Sequence, residues 1–154
     1  MNFTFEVLEK TRGSFKRILD KMSLEDLNKI PEGFNNNLIW NIGHIVVTEQ
    51  LLIYKLSGLS TMVSDSMINK YRKDTKPEGD VTQGEVDEIK ALLFTTIEKT
   101  AEDYKNNAFV NFKEYTVSTT GNTLKTIGES LQFVLFHEGI HLGYVLALLK
   151  VVKG

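Results

Sequence analysis

The chain has 154 residues, long enough for one domain with a sizeable core and too short for two, so a single domain spanning 1–154 is expected. With 42% hydrophobic and 25% charged residues and a formal net charge of -2, it has an ordinary globular composition and no basic footprint for nucleic acid. The absence of cysteine excludes disulfides, thiol nucleophiles and thiolate ligands, so any metal must be held by imidazole, carboxylate or water.

Glu6 and Glu9 interrupt the apolar start of the chain, which lacks the pattern of a signal peptide; a cytoplasmic location is expected. Phe3, Phe5, Val7, Leu8, Phe15, Ile18, Leu19 and Met22 recur at helical spacing and predict an amphipathic first helix over about 3–22. Ser23 and Asp26 form a weak capping pair for a turn of helix through Leu27, and a loop follows over 31–37, where one of Asn35, Asn36 and Asn37 caps the next helix. That second helix spans about 37–57 and ends at Gly58. Between Leu59 and Val81 lies a long connection with a short helical piece around Met62, Met67, Ile68 and Tyr71. Such a connection either lids a site, contacts a partner or is a solvated crossover. Its charged residues Lys70, Arg72, Lys73, Asp74 and Lys76 suit either an anionic substrate or plain solvation.

Thr82 to Glu85 is a capping box opening a third helix to about Lys105. Alternation over Phe112 to Val117, a turn at Thr119 to Asn122 and a return at Thr123 to Lys125 predict a small hairpin. Thr126 to Glu129 is a further capping box, and the fourth helix runs from about 127 to 150. The fold class is therefore all-α, a four-helix bundle with a long crossover and a small hairpin before the last helix. The two most apolar runs are interrupted by Asn41, His44, Glu49, Gln50, His137, Glu138 and His141, so buried bundle helices are expected rather than membrane spans.

All three histidines of the chain fall in these apolar helices. His137 and His141, four residues apart, project from one helix face and can reach one ion. A single histidine in an apolar helix is more often a hydrogen-bonded core residue, but two adjacent imidazoles leave polar nitrogens that each cost roughly 1–3 kcal/mol when buried unpaired. One ion satisfies both, and a neighbouring helix can bring His44 to the same point. Three neutral imidazoles leave a divalent ion with open positions, as in a catalytic site. Trp40 and Thr48, one turn either side of His44, are candidate supports of the site or lining of its pocket, and Tyr144, one turn past His141, is a candidate proton donor. Each has a plainer reading as packing or, for Thr48, as a bond to its own helix carbonyl.

His137-Glu138-Gly139-Ile140-His141 also spells the H-E-x-x-H string of zinc peptidases, which would make Glu138 a general base. Those enzymes take a third ligand downstream, and after His141 the chain has no His, Asp or Glu. Glu138 is therefore read first as a supporting or bulk residue. Gly139, Gly143 and Ala147 form a small-residue stripe allowing close approach of a helix, within the bundle by preference or across a homodimer.

The segments Leu38 to Ile45 and Leu135 to Tyr144 resemble the W-x-x-x-H and H-x-x-x-H-x-G elements of the DinB-like (DinB/YfiT-like) four-helix-bundle metalloenzymes, a family unrelated to the DNA polymerase that shares the DinB name. Helix order, the long second connection and the hairpin agree, so the resemblance covers nearly the whole chain. Where the family has a glycine-glutamine tail after the last histidine, this chain has Gly143-Tyr144. The resemblance implies that His44, His137 and His141 bind one divalent metal, zinc or nickel first and manganese next. It also implies a small-molecule substrate and a low-molecular-weight thiol as co-substrate, in a transferase or hydrolase. The alternative is a non-catalytic stress or scaffold bundle with a structural or vestigial metal site.

Overall fold

A computed structural model describes residues 2–154. Helix α1 (Asn2–Lys21) leads into a short α2 (Leu24–Asn28), α3 (Leu38–Gln50), α4 (Asp65–Tyr71), α5 (Gln83–Lys105) and α6 (Ile127–Lys153), with β1 (Tyr115–Thr116) and β2 (Thr123–Leu124) paired antiparallel before α6. Both α1 and α3 pack on α5 and on α6, the arrangement of a four-helix bundle. Ser23, Asn37, Thr82 and Thr126 each accept a backbone N–H of the helix they open, and Thr126 with Glu129 completes a reciprocal box; the box expected at Thr82 is only half made, because the Glu85 carboxylate is taken by Lys70 and Tyr71.

Two boundaries differ from expectation. The second long helix is not uniform: α3 ends at Gln50 and the chain continues as a π-helical turn over Leu51–Lys55, where the Leu56 N–H reaches back to the Leu51 carbonyl. A five-residue change of winding leaves hydrophobic spacing nearly intact, so periodicity does not reveal it. The last helix runs three residues further than 150, to Lys153. By length and composition α6 is apolar enough to cross a membrane; in the bundle it packs on α1 and α3.

The core consists of two apolar clusters with a polar layer between them. Phe15, Val47, Leu93 and Val145 belong to one cluster, Leu8, Leu52, Ile97 and Val134 to the other. Along each long helix the residue between the two sets is polar and fully buried: Arg12, Glu49, Thr96 and Glu138. The Arg12 guanidinium donates to Glu138 Oε1 at 2.6 Å, to the Leu93 carbonyl at 2.9 Å and to Thr96 Oγ1 at 2.8 Å, and Glu49 lies 3.9 Å away. Burial opposes the Arg12 charge, but Glu138 and then Glu49 outweigh it and raise its pKa. With two carboxylates sharing one cation, burial raises Glu138 despite Arg12.

The small-residue stripe of α6 does not pack inside the bundle as expected. Gly139 and Gly143 are exposed, with open space where a Cβ would stand.

Candidate metal centre

Helix α3 brings His44, and α6 brings His137 and His141, to one point. Ring centroids are 5.1 Å apart for His44 and His137, 4.8 Å for His44 and His141 and 4.5 Å for His137 and His141. One nitrogen from each lies within 4.8 Å of the other two. Bonds of about 2.0–2.1 Å from imidazole to zinc require these atoms to draw closer than that widest spacing. His137, whose ring stacks on Phe133, is free of the Nδ1 clamps that hold its two neighbours among the described residues.

Those clamps decide which nitrogen faces the centre. His44 Nδ1 is 2.6 Å from the Tyr71 carbonyl oxygen, which can only accept, so Nδ1 carries the proton and Nε2 keeps its lone pair. Tyr71 comes this close because its ring lies over Gly43, where a Cβ would meet the ring at 2.6 Å. His141 Nδ1 is 2.9 Å from Asn41 Oδ1. The Asn41 amide nitrogen is committed to Asn36 Oδ1 at 3.1 Å and the Asn37 carbonyl at 2.8 Å, which turns its oxygen toward the histidine as an acceptor. Such outer partners orient imidazole ligands and raise their basicity.

Burial lowers the pKa of all three histidines. His137 falls to about 3, with further lowering from His141 and His44, and His141 to about 4, helped by His44. For His44 the Tyr71 carbonyl offsets part of the fall. At neutral pH the centre therefore offers three uncharged imidazoles, a donor set suited to zinc or nickel.

Trp40 stacks on the His44 ring at 4.7 Å and 10° and donates its indole N–H to Thr75 Oγ1 at 3.2 Å. Thr48 Oγ1 is 3.4 Å from His44 Nε2. A cavity of about 520 Å³ opens over the histidines, with Thr48 in its lining. This is the size range of small-molecule sites. The crossover is no bare solvated loop: it supplies the Tyr71 carbonyl, Thr75 and, in the cavity wall, Lys73.

Two sequence candidates lie elsewhere. Glu138 follows His137 and so points about 100° around the helix, into the buried layer where Arg12 holds it. It does not line the cavity, so the general-base role of a peptidase glutamate does not fit its position. Tyr144 sits edge-on to Phe34, with ring centroids 5.8 Å apart, and is also outside the cavity lining. Sequence reasoning missed Asn41, Gly43 and Tyr71. Asn41 did carry a signal, as a short amide within an apolar helix that needs buried partners; a backbone carbonyl from a distant segment carries none.

A family model described as the DinB superfamily matches residues 7–145. No curated protein matches the chain.

Proposed function

The chain belongs to the DinB superfamily, and we propose that it is a metal-dependent enzyme acting on a small electrophilic substrate, as a thiol transferase or a hydrolase. The observation that carries this reading is the convergence of His44, His137 and His141 at one cavity, with two of the three presented through Nε2 by their neighbours. His44, His137 and His141 would hold a divalent ion, zinc or nickel first and manganese next, which would supply Lewis acidity toward water or a low-molecular-weight thiol near neutral pH.

The protein's own groups do the remaining work. The Tyr71 carbonyl and Asn41 hold the Nδ1 protons of His44 and His141, so neither ring spends its inward lone pair on a proton. Trp40 fixes the His44 ring plane by stacking. Thr48, the hydroxyl nearest the centre along α3, is placed to hydrogen-bond an entering nucleophile. Leu51, Phe133 and Ile140 give the cavity apolar walls against which the body of a substrate would lie.

The test is metal analysis of protein purified without a histidine tag, followed by assay of bacillithiol, mycothiol and glutathione against electrophilic acceptors with zinc, nickel or manganese. One bound ion per chain and turnover that disappears in His137→Ala are expected. Protein without stoichiometric metal, whose thermal midpoint ignores chelator, would leave a non-catalytic bundle in its place.

A further inference from the structure

If the cavity over the three histidines is where substrate sits, its lining also carries information about that substrate. Leu51, Leu52, Leu56, Val117, Phe133 and Ile140 make most of the wall apolar. The charged residues of the lining are Lys55, Lys73 and Lys113, with no Asp or Glu among them. The chain as a whole has 20 acidic and 18 basic residues, so this one-sided lining is a local departure from its composition.

The three lysines come from three separate segments: the π-helical turn, the crossover after α4 and the stretch before β1. The Lys113 N–H donates to the Leu56 carbonyl at 2.7 Å, which ties the last of these segments to the turn that carries Lys55. Lys73 has an exposed partner in Asp74 at 3.0 Å. Among the described residues, the ion pairs engage neither Lys55 nor Lys113. Two exposed cations without a carboxylate partner thus stand on the wall of an apolar cavity whose floor is three uncharged imidazoles.

We infer that the cavity takes an amphipathic anion, an alkyl or aryl body lying against the apolar walls with a carboxylate or phosphate group on Lys55, Lys73 and Lys113. Each exposed contact of this kind is weak alone, so the lysines together give about a tenfold preference for anion over cation. The positive lining also speeds capture of an anionic ligand and repels a cationic one. This rests on the proposed use of the cavity as a substrate site, yet it concerns a part of the wall distinct from the metal ligands.

The probe is anilinonaphthalene sulfonate, itself an aromatic anion, displaced by octanoate, octyl phosphate or octylammonium. Each displacement is run on metal-loaded and on chelator-treated protein, with metal content measured on the same samples. Octanoate or octyl phosphate should compete at about tenfold lower concentration than octylammonium, before and after chelation. The better of the two competitors identifies the anionic group. In Lys55→Gln/Lys73→Gln/Lys113→Gln, whose substitutions are all at exposed positions, the preference should fall to about twofold or less while the circular dichroism spectrum and thermal midpoint stay those of the wild type. Absence of probe binding, equal competition by all three ligands, or a preference unchanged in the triple variant overturns the inference. So does a preference that vanishes on chelation, which assigns the anion to the ion instead. Stoichiometric metal without charge preference removes this inference and leaves the metal centre standing; charge preference in protein that takes up no metal does the reverse.

Discussion

His141 presents Nε2 to the centre because Asn41 Oδ1 accepts a hydrogen bond from its Nδ1–H, and Asn41 can do so because its own amide nitrogen is already bound at the start of α3. Asn41→Ala removes that acceptor and is expected to weaken metal binding about 10- to 100-fold, measured by competition with a chelator of known affinity; unchanged affinity would show that the tautomer is set some other way. The depressed histidine pKa values bear on stability as well. Unfolded imidazoles take up protons near 6.5, whereas His137 and His141 in the fold do so near 3 and 4. Stability that is fully present above pH 6.5 is therefore lost progressively as pH falls toward those values. Denaturant unfolding of metal-free protein between pH 7.5 and 5 should show this loss, and His137→Leu should flatten it; equal slopes would contradict the reading. At this scale the convergence of the three histidines was legible from the one-turn spacing of His137 and His141 and from His44 being the one other histidine, also in an apolar helix, and Trp40 and Thr48 stand beside His44 at the one-turn offset expected. Tyr144 was misplaced by the same arithmetic, since a one-turn offset fixes the helix face and not the height at which the cavity ends.

Between elements, Gly43 is where the Tyr71 ring of α4 lies closest against α3. A methyl group there would stand 2.6 Å from the Tyr71 ring, and moving that ring displaces the carbonyl that clamps His44. Gly43→Ala is expected to destabilise the fold by about 1–3 kcal/mol, against the usual gain of alanine inside a helix. A raised denaturation midpoint would contradict this. The polar layer makes a second case. Removing the cation in Arg12→Met leaves Glu138 and Glu49 buried without it, at a cost of about 3–5 kcal/mol, and Arg12→Met/Glu138→Leu should recover part of it in equilibrium unfolding. A double variant no better than the single would mean that the layer acts through packing rather than charge. Helix positions and caps were readable because apolar period and capping chemistry are local. The ion layer was not, because Arg12 falls in the apolar stripe of α1 and its hydrogen-bond partners lie more than eighty residues away in α5 and α6. The H-E-x-x-H string misled for a related reason: a string records the order of residues, not the face each one takes.

Across the whole molecule, the buried layer and the metal centre use adjacent faces of α6, about 100° apart around the helix. Glu138 faces α1 and His137 with His141 face α3, so the rotation of one helix serves both, and the crossover closes the centre from outside the bundle. The architecture was accessible from the chain because four long amphipathic stretches with short-range caps have few ways to bury their stripes. Where the crossover docks was not, since its polar contacts with His44 and Trp40 run through a main-chain carbonyl and Thr75, groups with no distinguishing pattern. The central claim is that two helices jointly hold one ion, and zinc or nickel titration of tag-free protein against a competing chelator tests it most directly. One site per chain, an upward shift of the thermal midpoint on loading, and loss of the site in His44→Ala as fully as in His141→Ala are the predicted results. Binding that survives His44→Ala, or a chain that takes up no ion at all, would contradict it.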